Sequence, residues 1–509
     1  MIRNKIYNVN WTDVCAAALY AWVCINTLVW SQTACATVFL QITIYFGIYL
    51  AARSIFSVKL PAEKVCLLVL AILGVYESAY AIMQLSGFAY SRHSLYPLTG
   101  TFFNPGPLGG FIAMTCAPLI AYYKKSGDSR AFYIALVLTG MTVVTASRAA
   151  ILAIGICVAI VYYGSWRKYH IWVAAGVIAA IAAIVAINPQ SAASRVYMDY
   201  MAARSIAEHP FTGTGLNSYL HSLTLQQAAY FSAFPHSIFI DVAGVAEYAF
   251  CAPMQVGVEL GMPGMALFLL MLCAGLIYLR RTSLFYALLA WVVFSLFSYP
   301  LALWEFCVPL SILLALGAAA QKHRSEDEIM VRWQHIAVLI SGLVIMCAGA
   351  WMLRPYLRAE DEYTDFEYIR NEAFIKDYYE LLPWMGENQR FLFNFGKILR
   401  DGGRYNDSNA MLRQGLEVSN DPMFMVIMGR NYEDMGLTED AAHMYEKAYH
   451  TLPNRLYPLY RLRQLYIAAS DSVNAGKYAD MVRDFKPKVP SPAVEEMKRD
   501  YEGLYLYPN

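Results

Sequence analysis

Long apolar stretches separated by short polar segments dominate the first two thirds of the chain. We identify eleven, which begin near residues 11, 34, 64, 107, 131, 149, 170, 254, 283, 303 and 334. A helix that crosses a bilayer needs about 20 apolar residues, and lipid-exposed backbone must satisfy its own hydrogen bonds. The pattern therefore predicts an all-α fold, a polytopic membrane helical bundle of about 11 spans.

Charge divides the chain near Arg354. Residues 1–354 hold 20 Lys/Arg and 13 Asp/Glu, whereas the much shorter segment 355–509 holds 19 Lys/Arg and 25 Asp/Glu. A lipid-facing surface excludes charge and a water-facing surface needs it. We therefore predict a transmembrane domain at residues 1–354 and a soluble helical domain at residues 355–509.

Several classes of function receive no support from the composition. The net charge is +1 and no basic run of the nucleic-acid-binding type occurs, so no nucleic-acid partner is predicted. The ten cysteines form no CxxC pair, and the histidines form no HxxxH or HExxH pattern. We therefore predict neither a metal site nor a cofactor.

The basic residues of the loops predict the orientation. With the N-terminus in the cytoplasm, 15 Lys/Arg fall inside and five fall outside, which agrees with the positive-inside rule. This topology predicts a multi-pass protein of the bacterial inner membrane, with a periplasmic loop at residues 188–253 and a periplasmic C-terminal domain. It requires spans five and six to be separate, although only Ser147 and Arg148 lie between them.

Residues 422–455 resemble a tetratricopeptide repeat. Small and large residues occur at the offsets of such a repeat, with Gly429, Ala441 and Tyr445 among them and Pro453 at the end of the second helix. A looser copy precedes this one. The pattern predicts a repeat domain of paired helices, which would serve either as a generic helical cap or as a docking surface for a protein partner.

Charged residues are rare in the membrane domain, and those on its outer side are candidates for function. Arginine matches phosphate oxygens through a planar fork of donors, so outer arginines suit a lipid-linked pyrophosphate. The alternative for Arg148 is a helix-end arginine that snorkels to the interface. Arg195 and Arg204 are nine residues apart and point to opposite sides of an ideal helix, which favours Arg195. Glu77 lies inside the third span.

His236 and two acidic residues are the candidates for acid–base chemistry on the outer side. His236 lies in FSAFPHSIFIDVAG, where a hydrogen-bonded loop histidine is the competing interpretation. Asp241 and Glu247 follow it and precede the eighth span. Any of the three could accept a proton from a hydroxyl acceptor.

Four stretches resemble the O-antigen ligase and polymerase superfamily, and they occur in the family's order. They are GTFFNPGPLGGFIA (100–113), with Asn104 in its turn, TASRAAILAIG (145–155), SRVYMDYMAARSIAEHPFTGTGLNSY (194–219) and MQVGVELGMPGMALFLL (254–270). The turn in the first stretch follows from its residues alone, because Asn-Pro-Gly-Pro cannot continue a helix.

The resemblance implies a metal-independent glycosyltransferase with a GT-C-like helical bundle. Such proteins transfer a glycan from undecaprenyl pyrophosphate to lipid A-core, a protein hydroxyl or a growing polysaccharide. By the same resemblance, Arg148 and Arg195 would hold the pyrophosphate leaving group. One departure concerns the base, because Phe250 and Cys251 stand where the family often has His-Asn. His236 or a carboxylate could substitute, the acceptor could need no base, or the chain could be inactive.

Two other classes of function stay open. A non-catalytic scaffold would use the repeats to gather an envelope glycan complex. A transporter of lipid-linked glycan would predict matching broken spans in two halves and ionisable residues near the midplane, and neither pattern is visible.

Overall fold

The computed structural model describes residues 9–30, 35–57, 62–169, 189–319, 328–369, 371–487 and 491–504. Throughout these residues the secondary structure is helical, and no strand occurs among them. The predicted all-α class is confirmed. The predicted seventh span, near residue 170, lies outside the described residues.

The helices of the first two thirds of the chain begin with six that alternate with short connections. They are α1 (Trp11–Ile25), α2 (Ala36–Ser57), α3 (Ala62–Leu85), α4 (Pro105–Ser126), α5 (Ser129–Val144) and α6 (Arg148–Val161). Two less apolar helices follow, α7 (Pro189–Glu208) and α8 (Tyr219–Ala233). Four more complete this part: α9 (Ala252–Leu279), α10 (Phe285–Ser295), α11 (Trp304–Ala319) and α12 (Glu328–Phe366).

The chain is a multi-pass membrane protein. Five helices of the described residues are long and apolar enough to cross a bilayer: Trp11–Trp30, Ala36–Ser57, Ala62–Leu85, Ala252–Leu279 and Trp333–Phe366. Four shorter apolar helices accompany them: Ser129–Val144, Arg148–Val161, Phe285–Ser295 and Trp304–Ala319. Spans five and six are separate helices, as predicted, because the chain turns at Ala146 with φ of 52°.

Helix α4 is at the centre of the first compact unit, which comprises residues 1–28, 38–189 and 248–352. It contacts α3, α5, α6 and α10. Every residue from Pro107 to Leu119 is buried. A helix buried on all its faces is surrounded by protein rather than partly exposed to solvent or lipid.

Small residues allow helices α2 and α12 to approach closely within this unit. A methyl group added to Gly47 would lie 2.8 Å from the Gly342 carbonyl oxygen, and one added to Gly349 would lie 2.9 Å from Ile44. Backbone contact of this kind is typical of membrane helices, where van der Waals packing drives association.

Helix α9 is kinked at Gly261, whose φ is 70° and ψ is −177°, two residues before Pro263. The kink interrupts the hydrogen bonds along the helix. The Trp22 indole Nε1 donates to the Leu260 carbonyl oxygen at 2.9 Å. The Leu260 carbonyl thereby gains a donor from another helix.

The second compact unit comprises residues 29–37, 190–247 and 353–509. Its C-terminal helices are α13 (Ile375–Met385), α14 (Gln389–Asp401), α15 (Tyr405–Ser419), α16 (Pro422–Asp434), α17 (Thr438–Thr451), α18 (Tyr457–Ala468), α19 (Ser472–Asp484) and α20 (Pro492–Leu504). Helices α14 and α15, α16 and α17, and α18 and α19 pack as consecutive pairs. The tetratricopeptide assignment and the domain bounds 1–354 and 355–509 stay predictions.

Candidate functional site

Glu77 is buried in helix α3 and binds the segment that precedes helix α4. Its Oε1 accepts a hydrogen bond from the Thr101 hydroxyl at 2.7 Å, and its Oε2 accepts from the Thr101 backbone N–H at 3.0 Å. Gly100 lies against Glu77 with φ of 59°, and a methyl group there would be 2.5 Å from Oε2. The segment can pass this closely because the residue is glycine.

Glu77, Gly100 and Thr101 form a cluster, and two more charged side chains lie near it. The Arg92 guanidinium donates to the Thr101 carbonyl oxygen at 2.7 Å. Glu305, in the first turn of α11, has a buried Oε2 without a hydrogen-bond partner in the part of the chain that the structure describes. Glu77 repels and Arg92 attracts its carboxylate. The structure thus brings Glu77, Arg92 and Glu305 into one electrostatic group.

Asn104 has a structural role that explains its place before helix α4. It is the N-cap, and its Oδ1 accepts from the Gly106 backbone N–H at 2.8 Å. The cap satisfies a donor that the first turn of a helix leaves open.

Arg148 is the first residue of helix α6 and is half-buried. The preceding residue, Ser147, donates from its hydroxyl to the Gly106 carbonyl oxygen at 3.1 Å. This bond joins the start of α6 to the start of α4. A methyl group on Gly109 would lie 2.7 Å from the Ser147 Cβ, so the two helices also touch directly. The contacts between the first turns of α4 and α6 therefore fix the backbone from which the Arg148 side chain extends.

Arg195 lies in the second unit, half-buried on helix α7. Its positively charged guanidinium attracts the Asp199 carboxylate, which lies one helical turn further along the chain. Burial raises the pKa of Asp199, and the attraction of Arg195 opposes that rise. Ser194, next to Arg195, donates to the Val242 carbonyl oxygen at 3.4 Å.

Arg204 faces a different set of groups on the same helix. Its Nε donates to the Gln226 Oε1 at 3.1 Å, and its guanidinium lies over the Tyr230 ring, 5.9 Å from the centroid. Helix α7 is continuous from Pro189 to Glu208. The prediction that Arg195 and Arg204 point to opposite sides of one helix therefore applies to it. Arg204 thus has partners that position helix α8.

His236 and Asp241 are exposed and belong to the segment that follows helix α8. This segment packs on helix α7, where the Phe239 ring lies 5.2 Å from the Tyr197 ring. The Asn454 side-chain amide holds the turn around Asp241 by donating to the Ile240 carbonyl at 2.9 Å. The structure therefore brings the segment of His236 and Asp241 onto the helix that carries Arg195.

Glu247 is exposed and accepts a hydrogen bond from the Gln389 amide at 2.9 Å. Phe250 packs edge-on against the Tyr299 ring, with centroids 5.5 Å apart, and Cys251 is the N-cap residue of helix α9. An aromatic residue therefore occupies the position where the resemblance leads one to expect the histidine.

One feature of the cluster around Glu77 was absent from the predicted site. Gln84, in helix α3, accepts from the Thr99 and Gly100 backbone N–H groups at 2.8 Å each. Glu305 completes the electrostatic group with Glu77. A polar side chain within an apolar span is itself a signal of function or of buried partners. No group of three or more His, Cys, Asp or Glu side chains among the described residues could hold a metal ion.

Residues 133–269 match the family model described as O-antigen ligase. The match begins in helix α5, ends in helix α9 and includes Arg148, Arg195 and Arg204. No curated protein matches the chain. Three of the four stretches that carry the resemblance overlap this region, and the first, residues 100–113, precedes it. Residues 133–269 are therefore similar to the O-antigen ligase family, and this match supports the superfamily that the four stretches resemble.

Proposed function

We propose that this protein transfers a glycan from undecaprenyl pyrophosphate to an acceptor on the periplasmic face of the bacterial inner membrane. The acceptor is lipid A-core, a protein or a growing polysaccharide. The observation that carries the proposal is the O-antigen ligase match at residues 133–269, which includes both arginines expected to hold a pyrophosphate.

In the proposed reaction, an acceptor hydroxyl oxygen attacks the anomeric carbon of the lipid-linked sugar. The bond from that carbon to the pyrophosphate oxygen breaks, and undecaprenyl pyrophosphate leaves with the electron pair. Arg148 and Arg195 stabilise the negative charge that the leaving group gains. Such preorganised charge stabilisation is often the largest contribution to catalysis, and its donors must be in place before the reaction.

The acceptor proton passes to a base, for which His236, Asp241, Glu247 and Glu77 are the candidates. The three outer residues are exposed, whereas Glu77 is buried and accepts two hydrogen bonds. A general base contributes typically 10²–10⁴-fold. Phe250 in the family's histidine position is therefore compatible with a slower enzyme, since pyrophosphate is already a good leaving group.

The test replaces Arg148 and Arg195 separately by Ala and by Lys and follows lipid-linked and transferred glycan in cells. We expect the Ala variants to accumulate the lipid-linked donor while the protein inserts at normal levels. The Lys variants keep the charge and lose the fork, so they should retain part of the transfer. Arg130→Ala is the matched control, because the Arg130 side chain is 87% exposed and pairs with its near neighbour Asp128.

Two other results would favour a different function. Unchanged glycan in both Ala variants would favour the scaffold. Donor that accumulates only on the cytoplasmic leaflet would favour a transporter.

A further inference from the structure

The second unit contains a polar cavity that the proposed transfer chemistry does not use. Its volume is about 830 Å³, within the roughly 300–1,000 Å³ typical of ligand pockets. Residues of α7, α8 and the turn between them line it, together with Trp30 and Glu417. We propose that this cavity binds an oligosaccharide made of neutral or amino sugars, as the sugar-recognition site of the protein.

Hydrogen bonds between side chains brace the turn that forms one wall. Gly213 and Gly215 have φ values of 67° and 102°, which glycine adopts without strain. The Ser222 hydroxyl donates to the Thr214 hydroxyl at 2.8 Å, and the Thr214 and Ser218 hydroxyls are 2.6 Å apart. A wall fixed in this way is preformed for a ligand, which lowers the entropic cost of binding.

Hydrogen bonds fix the orientation of two polar side chains of helix α8 that line the cavity. The Gln226 amide donates to Glu208 Oε2 at 2.6 Å while its oxygen accepts from Arg204. His221 Nδ1 lies 3.0 Å from the Leu416 carbonyl oxygen, so Nδ1 donates and Nε2 is left as an acceptor. Burial lowers the pKa of His221, which favours the neutral ring.

Charge selects the class of ligand. The acidic side chains of Glu208 and Glu417 line the cavity, and among the described residues no lysine or arginine does. Two carboxylates in the lining disfavour a phosphate or an acidic sugar, whereas Arg204, bonded to Gln226, and Lys447, whose charge acts on His221, are outside the lining. Carboxylate, amide, hydroxyl and imidazole groups instead match the many hydroxyls of a neutral sugar, and the carboxylates also suit an ammonium group.

An aromatic ring completes the cavity. Trp30 is 44% exposed and lines the cavity. Sugar rings have a face of C–H groups that can pack on an indole, and the large apolar area of tryptophan makes such contacts strong. The cavity therefore offers both polar recognition and an apolar platform, in contrast to the arginines proposed for the pyrophosphate.

The identification of the ligand as a glycan rests on the proposed function, and binding is measured without any donor. The full-length chain in lipid nanodiscs is titrated calorimetrically with chitotriose, its de-acetylated amino form, trigalacturonate and trilysine. We expect one or both of the first two to bind. Trp30→Ala should weaken that binding at least tenfold, and Glu417→Gln should weaken the amino trisaccharide more than chitotriose. Glu439→Gln, an exposed acidic residue on helix α17, is the matched control.

The outcomes distinguish the two proposals. Arg148→Ala should keep trisaccharide binding, since Arg148 does not line the cavity. Tightest binding of trigalacturonate, tighter binding of trilysine than of either sugar, equal binding by all variants, or no binding of either sugar would each overturn the sugar site. If transfer persists in such a case, the proposed function stands alone. Loss of transfer in Arg148→Ala with intact sugar binding supports both.

Discussion

An ion pair buried in the first unit joins helices α1 and α2. Arg53 Nε donates to Asp13 Oδ1 at 3.1 Å, with side chains 3% and 12% exposed. The Tyr49 hydroxyl donates to the same oxygen at 2.6 Å, and Arg53 also donates to the Ser57 hydroxyl at 2.6 Å. Since burial makes charge expensive, each partner needs the other.

The magnitude of the effect follows from this geometry. Removing one partner of a buried pair costs about 3–5 kcal/mol, because the other charge stays in a medium of low polarity. We expect that loss in Asp13→Ala and in Arg53→Met. The double variant removes both charges but loses the hydrogen bonds to Asp13 from the Asn10 backbone N–H and the Tyr49 hydroxyl, and that from Arg53 to Ser57. Each such bond is worth about 1 kcal/mol. Each single variant loses part of this set and in addition keeps one buried charge without its counter-ion. The double variant should be more stable than either single variant.

The assay is thermal unfolding of the detergent-solubilised full chain, followed by size-exclusion chromatography with fluorescence detection. The predicted order of midpoints is wild type, double variant, then both single variants. Lys376→Ala is the control, because its pair with Glu380 has side chains 84% and 63% exposed and contributes at most about 0.5 kcal/mol. A double variant less stable than both single variants would refute the argument from buried charge.

Further predictions concern the second unit. Gly429→Ala should destabilise it by about 1–3 kcal/mol, since the added methyl group would lie 2.5 Å from the Tyr445 ring. In Gly476→Ala the added methyl group meets no atom within 4 Å, so this variant should be neutral or stabilising in the same thermal-unfolding assay. Burial holds the pKa of His221 below its ordinary value, so the free energy of unfolding should fall as the pH falls below about 6.5. His221→Asn should remove that part of the pH dependence of the unfolding midpoint. Arg204→Gln should lower the unfolding midpoint and leave glycan transfer within a few-fold; complete loss of transfer in a folded variant would contradict its assignment to helix positioning.

Features that depend on neighbouring residues could be predicted from the sequence. The turn at Asn104 and the start of helix α4 follow from Asn-Pro-Gly-Pro, and helix α7 ends at Glu208 just before His209 and Pro210. The break at Ser147 was predicted because merging two spans would disrupt the alternation of loop charges. Each of these depends on local turn chemistry or on a rule that acts loop by loop.

Features that depend on distant residues could not be predicted. The partner of Glu77 is Thr101, and the partner of Arg204 is Gln226 on the next helix. Helical periodicity gives the face of a side chain but does not identify the group it meets. Helix α4 is buried on every side because of the helices around it, whereas its own composition is less apolar than that of its neighbours α3, α5, α6 and α10.

The proposed function requires Arg148 and Arg195 to bind the diphosphate of the lipid-linked donor. The most direct measurement is the affinity of the full chain in nanodiscs for a short-chain polyprenyl pyrophosphate compared with the corresponding monophosphate. We predict that the wild type prefers the pyrophosphate and that Arg148→Ala and Arg195→Ala each lose most of that preference, while Arg130→Ala keeps it. Equal affinity for the two lipids in the wild type, or an unchanged preference in both variants, would contradict the account.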